Sequence, residues 1–149
     1  MASNMARDVE RAVEKFRSIF HTEPQVCVFA PGRVNLIGEH TDYNDGFVFP
    51  FALPYRTVMV GSKVPTNSKT CKVVSMNMPE NEANIEFCID SSLNKGLPSW
   101  GNYVKGTIFQ YLKDLPSECA FNAVITSSIP IGSGLSSSAA LEYVFHFFL

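Results

Sequence analysis

The segment from Ala30 to Tyr43 gathers a guanidinium (Arg33), a carboxamide (Asn35), two carboxylates (Glu39, Asp42) and an imidazole (His40). Glycines break it at positions 32 and 38. So many hydrogen-bonding groups between apolar flanks suit a site that grips a polar ligand or meets developing charge. Gly38 lets the backbone turn sharply without a Cβ clash, so Glu39, His40 and Asp42 can converge on one point. A solvated surface turn is the competing reading. The next residues, Asn44-Asp45-Gly46, already supply such a turn, and Phe47-Val48-Phe49 is expected to return to the core.

A second segment, Ile129 to Glu142, turns the question from binding to chemistry. It follows an apolar run, Phe121 to Ile125, that reads as a buried strand, and it leads into Ala139 to Leu149, a run of good helix formers. Strand, glycine-serine loop and helix therefore succeed one another. Gly132 and Gly134 let the backbone lie close to an anion, and a helix starting near Ser136 adds its unpaired first N–H groups and the positive end of its dipole. Ser136, Ser137 and Ser138 offer hydroxyls to phosphate oxygens or to a magnesium ion. The loop is no Walker A motif, because no Gly-Lys-Ser/Thr occurs in the chain. One serine N-cap would serve an ordinary helix; three behind two glycines exceed that need.

The elements that must position these segments follow from periodicity. Met5, Val9, Ala12, Val13, Phe16, Ile19 and Phe20 recur at helical spacing, with Asp8 and Glu10 early and Lys15 and Arg17 late. Val26 to Ala30 predicts a strand running into the first segment. Phe47 to Leu53 is interrupted by Pro50, and Thr57 to Val64 alternates as a half-buried strand. Thr70 to Ser75 and Asn84 to Asp90 suit further strands, with loops over Pro65 to Ser68 and Met78 to Ala83. Trp100 to Lys113 predicts a helix with Tyr103, Thr107, Phe109, Tyr111 and Leu112 as its bulk. The sum is one α+β domain with a mixed sheet and no repeats.

Twelve basic and 14 acidic residues give a net charge of −2, which leaves no electrostatic footprint for nucleic acid or an anionic membrane. The amino terminus carries charges instead of an apolar signal core, and no apolar run is long enough to span a bilayer. Cys27, Cys71, Cys88 and Cys119 form no Cys-x-x-Cys pair, so reduced, mostly buried thiols in a cytoplasmic protein are expected.

The first segment resembles the signature of galactokinases, with no departure from Gly32 to Tyr43. The second resembles the ATP loop of the wider galactokinase, homoserine, mevalonate and phosphomevalonate kinase superfamily, with Ser133 where relatives often have glycine. The resemblance covers nearly the whole chain. It implies the amino-terminal domain of that superfamily, a ribosomal protein S5 domain 2-like fold, with residues 1–25 as helix and lead-in and 26–149 bearing the sugar motif and ATP loop. It implies Mg-ATP-dependent phosphorylation of galactose to galactose 1-phosphate by a monomeric enzyme. By similarity Arg33 stabilises the transferring phosphoryl group and belongs to the substrate site, while Glu39, His40 and Asp42 hold sugar hydroxyls. Gly132, Gly134, Ser136 and Ser137 contact ATP phosphates, and Ser138 is the hydroxyl for magnesium.

Galactokinases carry their catalytic aspartate in a later Gly-x-x-Asp-Gln-like segment and a third glycine-rich motif near the carboxyl end. Neither occurs here. The expectation is an incomplete amino-terminal part, cut within its last helix, lacking the carboxyl-terminal domain and inactive alone, with Tyr143, Val144, Phe147 and Phe148 short of partners. Three rival readings stand beside galactokinase. One is a kinase of N-acetylgalactosamine or a related sugar, disfavoured by His40-Thr41-Asp42-Tyr43-Asn44. Another is a non-enzymatic galactose sensor, disfavoured by the complete run Ser136 to Ala140. The last is a fragment that binds nothing. Trp100 is open between stacking on adenine and anchoring a helix start. His21 could cap the first helix, and His146 is expected to be a core histidine.

Overall fold

The computed structural model describes residues 2–64, 68–116 and 119–149. In chain order the elements are α1 (Ala2–Phe20), β1 (Val26–Asn35), β2 (Pro50–Lys63), β3 (Thr70–Ser75), β4 (Asn84–Cys88), α2 (Gly101–Tyr111), β5 (Phe121–Ser127) and α3 (Ser137–Phe148). Short 3-10 turns lie at Asp42–Asn44 and Glu80–Glu82. The strands form one mixed sheet in the order β1-β2-β5-β3-β4, antiparallel except for the β3–β5 pair.

Alternation along the central strands divides the apolar residues between two faces. Val60 and Val124 pack with Val74 against Ala12 and Phe16 of α1. Met59, Ala123 and Ile125 face the other way, against Val104 and Ile108 of α2 and Ala140, Val144 and Phe145 of α3. Phe16 is fully buried, and its truncation to alanine would cost about 3–5 kcal/mol. Gly61 lets α3 settle on β2: a Cβ there would meet the Phe148 ring at 2.6 Å.

The α+β mixed-sheet expectation holds, and β3 has the limits predicted for it. Several details differ. α1 begins ahead of Met5, so Asp8 and Glu10 fall beyond its first turn and only Arg17 complements the dipole. On α2 the buried face is Gly101, Val104 and Ile108, whereas Tyr103 and Phe109 are exposed. Pro50 starts β2 instead of interrupting it, a position where a missing N–H costs the ladder least. Phe47, 99% exposed, and Phe49, 63% exposed, do not return to the core. Main-chain bonds from Leu36 N to the Phe49 carbonyl and from Phe49 N to the Ile37 carbonyl hold Phe49 on a ribbon with Leu36 and Ile37, and the Phe47 carbonyl accepts from the Thr41 hydroxyl.

His146 is exposed on α3 and hydrogen-bonded to the Tyr111 hydroxyl, not a core histidine, because the buried stripe of α3 runs through Ala140, Val144 and Phe145. Val144 and Phe148 also depart from expectation. Val144 is fully buried, and Phe148 packs on Phe121 with ring centroids 5.0 Å apart; Tyr143 and Phe147 remain exposed. All four cysteines are free, but only Cys71 is buried. His21 takes a left-handed backbone (φ 54°), and its N–H donates to the Arg17 carbonyl at 3.0 Å. The loop predicted over Pro65 to Ser68 lies mostly outside the described residues. Among the described residues no helix is long and apolar enough to cross a membrane.

Candidate functional site

The first motif is half strand and half loop. β1 continues through Pro31, Gly32 and Arg33 to Asn35, with its register on β2 slipping between Pro31 and Arg33. Such a bulge re-aims the side chains beyond it. After Asn35 the chain turns at Gly38 (φ 97°), where a Cβ would lie 2.4 Å from the Phe47 carbonyl oxygen. The turn is clasped by Thr41, whose hydroxyl shares its proton between the carbonyls of Gly38 at 2.8 Å and Phe47 at 3.0 Å. Glu39 accepts from the Asn35 N–H at 3.3 Å, and His40 Nδ1 pairs with the Tyr43 hydroxyl at 2.6 Å. Arg33, Glu39, His40 and Asp42 are all exposed.

The second motif is built as its composition requires. Gly132 (φ 72°) and Gly134 (φ 74°) adopt the left-handed region that favours glycine, with open space where a Cβ would stand. Ser133 closes the turn through its hydroxyl on the Pro130 carbonyl at 2.7 Å. Ser136 precedes α3 in a left-handed conformation (φ 62°) and gives the helix no side-chain cap. The first N–H groups of α3 therefore stay free of a side-chain acceptor and retain the dipole's positive end.

The two motifs meet directly. Arg33 N–H donates to the Leu135 carbonyl at 3.2 Å, and the Ser136 hydroxyl donates to the Arg33 carbonyl at 3.2 Å. Gly32 permits this approach, since a Cβ there would stand 2.9 Å from the Leu135 oxygen. Ser136 is consequently common to two clefts. The larger, about 560 Å³, is bounded by the glycine-serine loop, Ser137 and Ser138 on one side and by Trp100, Tyr103 and Asn77 on another. The smaller, about 440 Å³, runs from Phe29 to Arg33 past Phe51 and Ala139 to Tyr143 and Phe147. Gly132, Gly134, Ser136, Ser137 and Ser138 thus all line the larger cleft, and Arg33 lines the smaller one. Glu39, His40 and Asp42 line neither; they sit on the ribbon beyond Arg33.

Among the described residues no ionised side chain borders the larger cleft, whose polar lining is hydroxyl and amide. Charge on a ligand there would be met by backbone N–H groups, serines and the helix dipole. Trp100 packs into the core and also forms cleft wall. It is 7% exposed, and its indole N–H donates to the Glu82 carbonyl at 2.7 Å. Sequence reasoning missed Asn77, which grips Ser127 on both main-chain groups, donating to its carbonyl at 2.8 Å and accepting from its N–H at 2.7 Å. Ser127 Oγ in turn accepts from Ile129 N–H at 3.2 Å, fixing the exit of β5 into the loop. A polar residue just past a predicted strand is too common a signal to have found it.

Comparison with known proteins agrees with this geometry. Residues 14–63 match the galactokinase galactose-binding signature, and residues 102–146 match the GHMP kinases N terminal domain. Human galactokinase is 45% identical over 97% of this chain and 37% of its own length. The galactokinase of Staphylococcus carnosus is 45% identical over 86% of this chain and 32% of its own. Among solved structures, Lactococcus lactis galactokinase complexed with galactose superposes with a TM-score of 0.77 at 38% identity, covering 89% of this chain and 34% of that one. Methanococcus jannaschii mevalonate kinase, at 19% identity and a TM-score of 0.65, shares the fold. The fold is that of the GHMP kinases' amino-terminal domain. Within that class the chain is similar to the amino-terminal part of galactokinases, and it spans about a third of the length of the curated relatives it matches.

Proposed function

We propose that the protein of which this chain forms the amino-terminal part transfers the γ-phosphoryl group of ATP to the anomeric hydroxyl of galactose. One observation carries the reading: Ser136 joins the phosphate-type cleft to the strand that bears Arg33. Phosphoryl transfer is mostly positioning and electrostatics, so donor and acceptor sites must be held together. Gly132, Gly134, Ser136 and Ser137 hold the ATP phosphates, and the adenine lies toward Trp100 and Tyr103. Arg33 meets charge as it develops on the transferring group, and Glu39, His40 and Asp42 orient the sugar hydroxyls.

Magnesium supplies neutralisation of phosphate oxygens when bound. Ser138, at the cleft in the first turn of α3, fits as one oxygen ligand. Among the described residues no group of three His, Cys, Asp or Glu side chains could hold an ion by itself, so phosphates and water complete this coordination. The sequence holds no Gly-x-x-Asp-Gln segment, and we assign the isolated chain no turnover. A monomeric, cytoplasmic enzyme is the setting of this reading.

The test is galactose 1-phosphate formation by the protein completed to the length of its relatives, with N-acetylgalactosamine and galactose side by side. Preference for galactose is expected. Galactose binding without ADP release would replace the enzyme with a sensor, and a preference for N-acetylgalactosamine would replace the substrate. Turnover by the isolated chain would overturn the assignment of an essential group outside it.

A further inference from the structure

Arg7, Arg11 and Arg56 border one cleft of about 500 Å³, distinct from the one the glycine-serine loop lines, between α1 and the stretch Pro54 to Arg56 of β2. Its remaining lining is Asn4, Asp8, Tyr55 and Ser128, so three guanidinium groups face a single carboxylate. Among the described residues none of the three arginines makes an ion pair, whereas Arg17 on the same helix closes one with Glu23 at 2.8 Å. Arg7 and Arg11 stand one turn apart on α1, where like charges repel. The Arg56 side chain is half-buried and held in place, with Nε and Nη2 donating to the Pro54 carbonyl at 3.3 and 2.8 Å. A solvated basic face would place such side chains apart on a convex surface. Here they come from two elements and turn toward one concavity.

We infer that this cleft is a second anion site, which takes a small molecule bearing a phosphate group. Guanidinium groups match phosphate oxygens in charge and in paired N–H geometry. The Tyr55 ring and the Asn4 amide supply apolar and polar surface for the rest of such a molecule. The site also touches the catalytic side of the fold through the backbone. Arg56 N–H donates to Ser128 Oγ at 3.0 Å, and Ser128 N–H donates to the Arg56 carbonyl at 2.9 Å, immediately before the chain enters Ile129 and the glycine-serine loop.

Inorganic pyrophosphate is the probe, titrated into the 149-residue chain labelled with 15N, at about 0.15 M salt, where the screening length is about 8 Å. Saturable shifts are expected at the amides of Arg7, Arg11, Tyr55, Arg56 and Ser128, separable by residue from any shifts at Gly132 to Ser138. Arg11→Gln with Arg56→Gln should weaken the first set about a hundredfold, the scale of two lost charge-assisted contacts, and leave the second unchanged. Undisturbed amides at Val58 to Val60 report that the variant keeps its fold. Shifts confined to Gly132 to Ser138, shifts that rise linearly without saturation, or equal affinity in the variant would each overturn the site. Failure here leaves the kinase reading untouched, because that reading rests on the other cleft.

Discussion

The Ser136 hydroxyl donates to the main-chain carbonyl of Arg33 at 3.2 Å, across 103 positions of sequence. The hydroxyl that an ordinary helix would spend on its own N-cap is spent instead on a strand. The first N–H groups of helix α3 are left without that side-chain acceptor, and the strand carrying Arg33 is tied to the loop that faces it.

Arg33→Ala in the completed enzyme should lower turnover by several powers of ten while ATP affinity changes little, as for an arginine that acts on transition-state charge. Steady-state kinetics paired with equilibrium binding of ATP separates the two. Near-normal turnover would reduce Arg33 to a member of its strand.

Asp42 and Glu39 should behave differently from each other. Asp42 makes no side-chain hydrogen bond among the described residues, so Asp42→Ala should raise the galactose requirement alone, by roughly 1.5–3 kcal/mol of lost charged hydrogen bonding. Glu39 also holds the Asn35 N–H, so Glu39→Ala should combine that loss with a looser turn. Galactose titrations against thermal melts of the two variants test this. Identical profiles would mean that the Asn35 bond does not matter.

Thr41→Val should destabilise the Gly38 turn by about 1 kcal/mol, the net worth of a typical hydrogen bond, because one hydroxyl proton serves two carbonyls. Faster hydrogen exchange between Gly38 and Phe47, with β2 and β5 unchanged, is the expected signature. Unchanged exchange would show that the backbone bonds of the ribbon suffice.

Trp100 is the only tryptophan and stands in the wall of the larger cleft, so a non-hydrolysable ATP analogue should change its emission. Saturable quenching is expected in the isolated chain. Binding seen by calorimetry without any optical change would place the adenine away from the indole.

Burial pushes the Cys71 thiol up to about 12, mainly by desolvating the thiolate. The native thiol thus keeps its proton where the unfolded one, near 9.0, has lost it. The unfolded state then binds fewer protons, so stability is full below about pH 9 and falls as pH rises toward 12. Denaturation series from pH 8 to 11 should show this slope flattened in Cys71→Ala. In native protein a thiol reagent should label exposed Cys27 ahead of Cys71.

The conformation of the glycine-serine loop was legible because it depends on composition over short spans. Two glycines that need φ > 0 and three serines before a helix leave few other solutions. Strand β3 and the apolar stripe of α1 were legible by period alone. What escaped was everything decided by a distant partner. Pro31-Gly32 looks like the end of a strand until Arg33 to Asn35 pair with Pro50 to Ala52 of β2 and prolong β1. Phe47 and Phe49 look like core, yet Phe49 pairs its backbone with Leu36 and Ile37, the Phe47 carbonyl accepts from Thr41, and both rings are exposed. α3 is apolar nearly all round, so no pattern could say that His146 would face solvent. Asn77 gains its role only when the ends of β3 and β5 lie side by side.

The slipped register of β1 on β2 sets a rule for insertions and deletions. Between the pairs Pro31↔Arg56 and Arg33↔Ala52, one residue of β1 faces three of β2, Leu53, Pro54 and Tyr55. Strand faces alternate with period two. Trimming the β2 side by a pair would regularise the ladder and leave Arg33 pointing as it does. Removing a single residue would reverse every side chain from there to Pro50 relative to β1. Length variation at this corner is therefore tolerated by parity, and a lineage that changes it by an odd number must abandon either the ladder or the arginine.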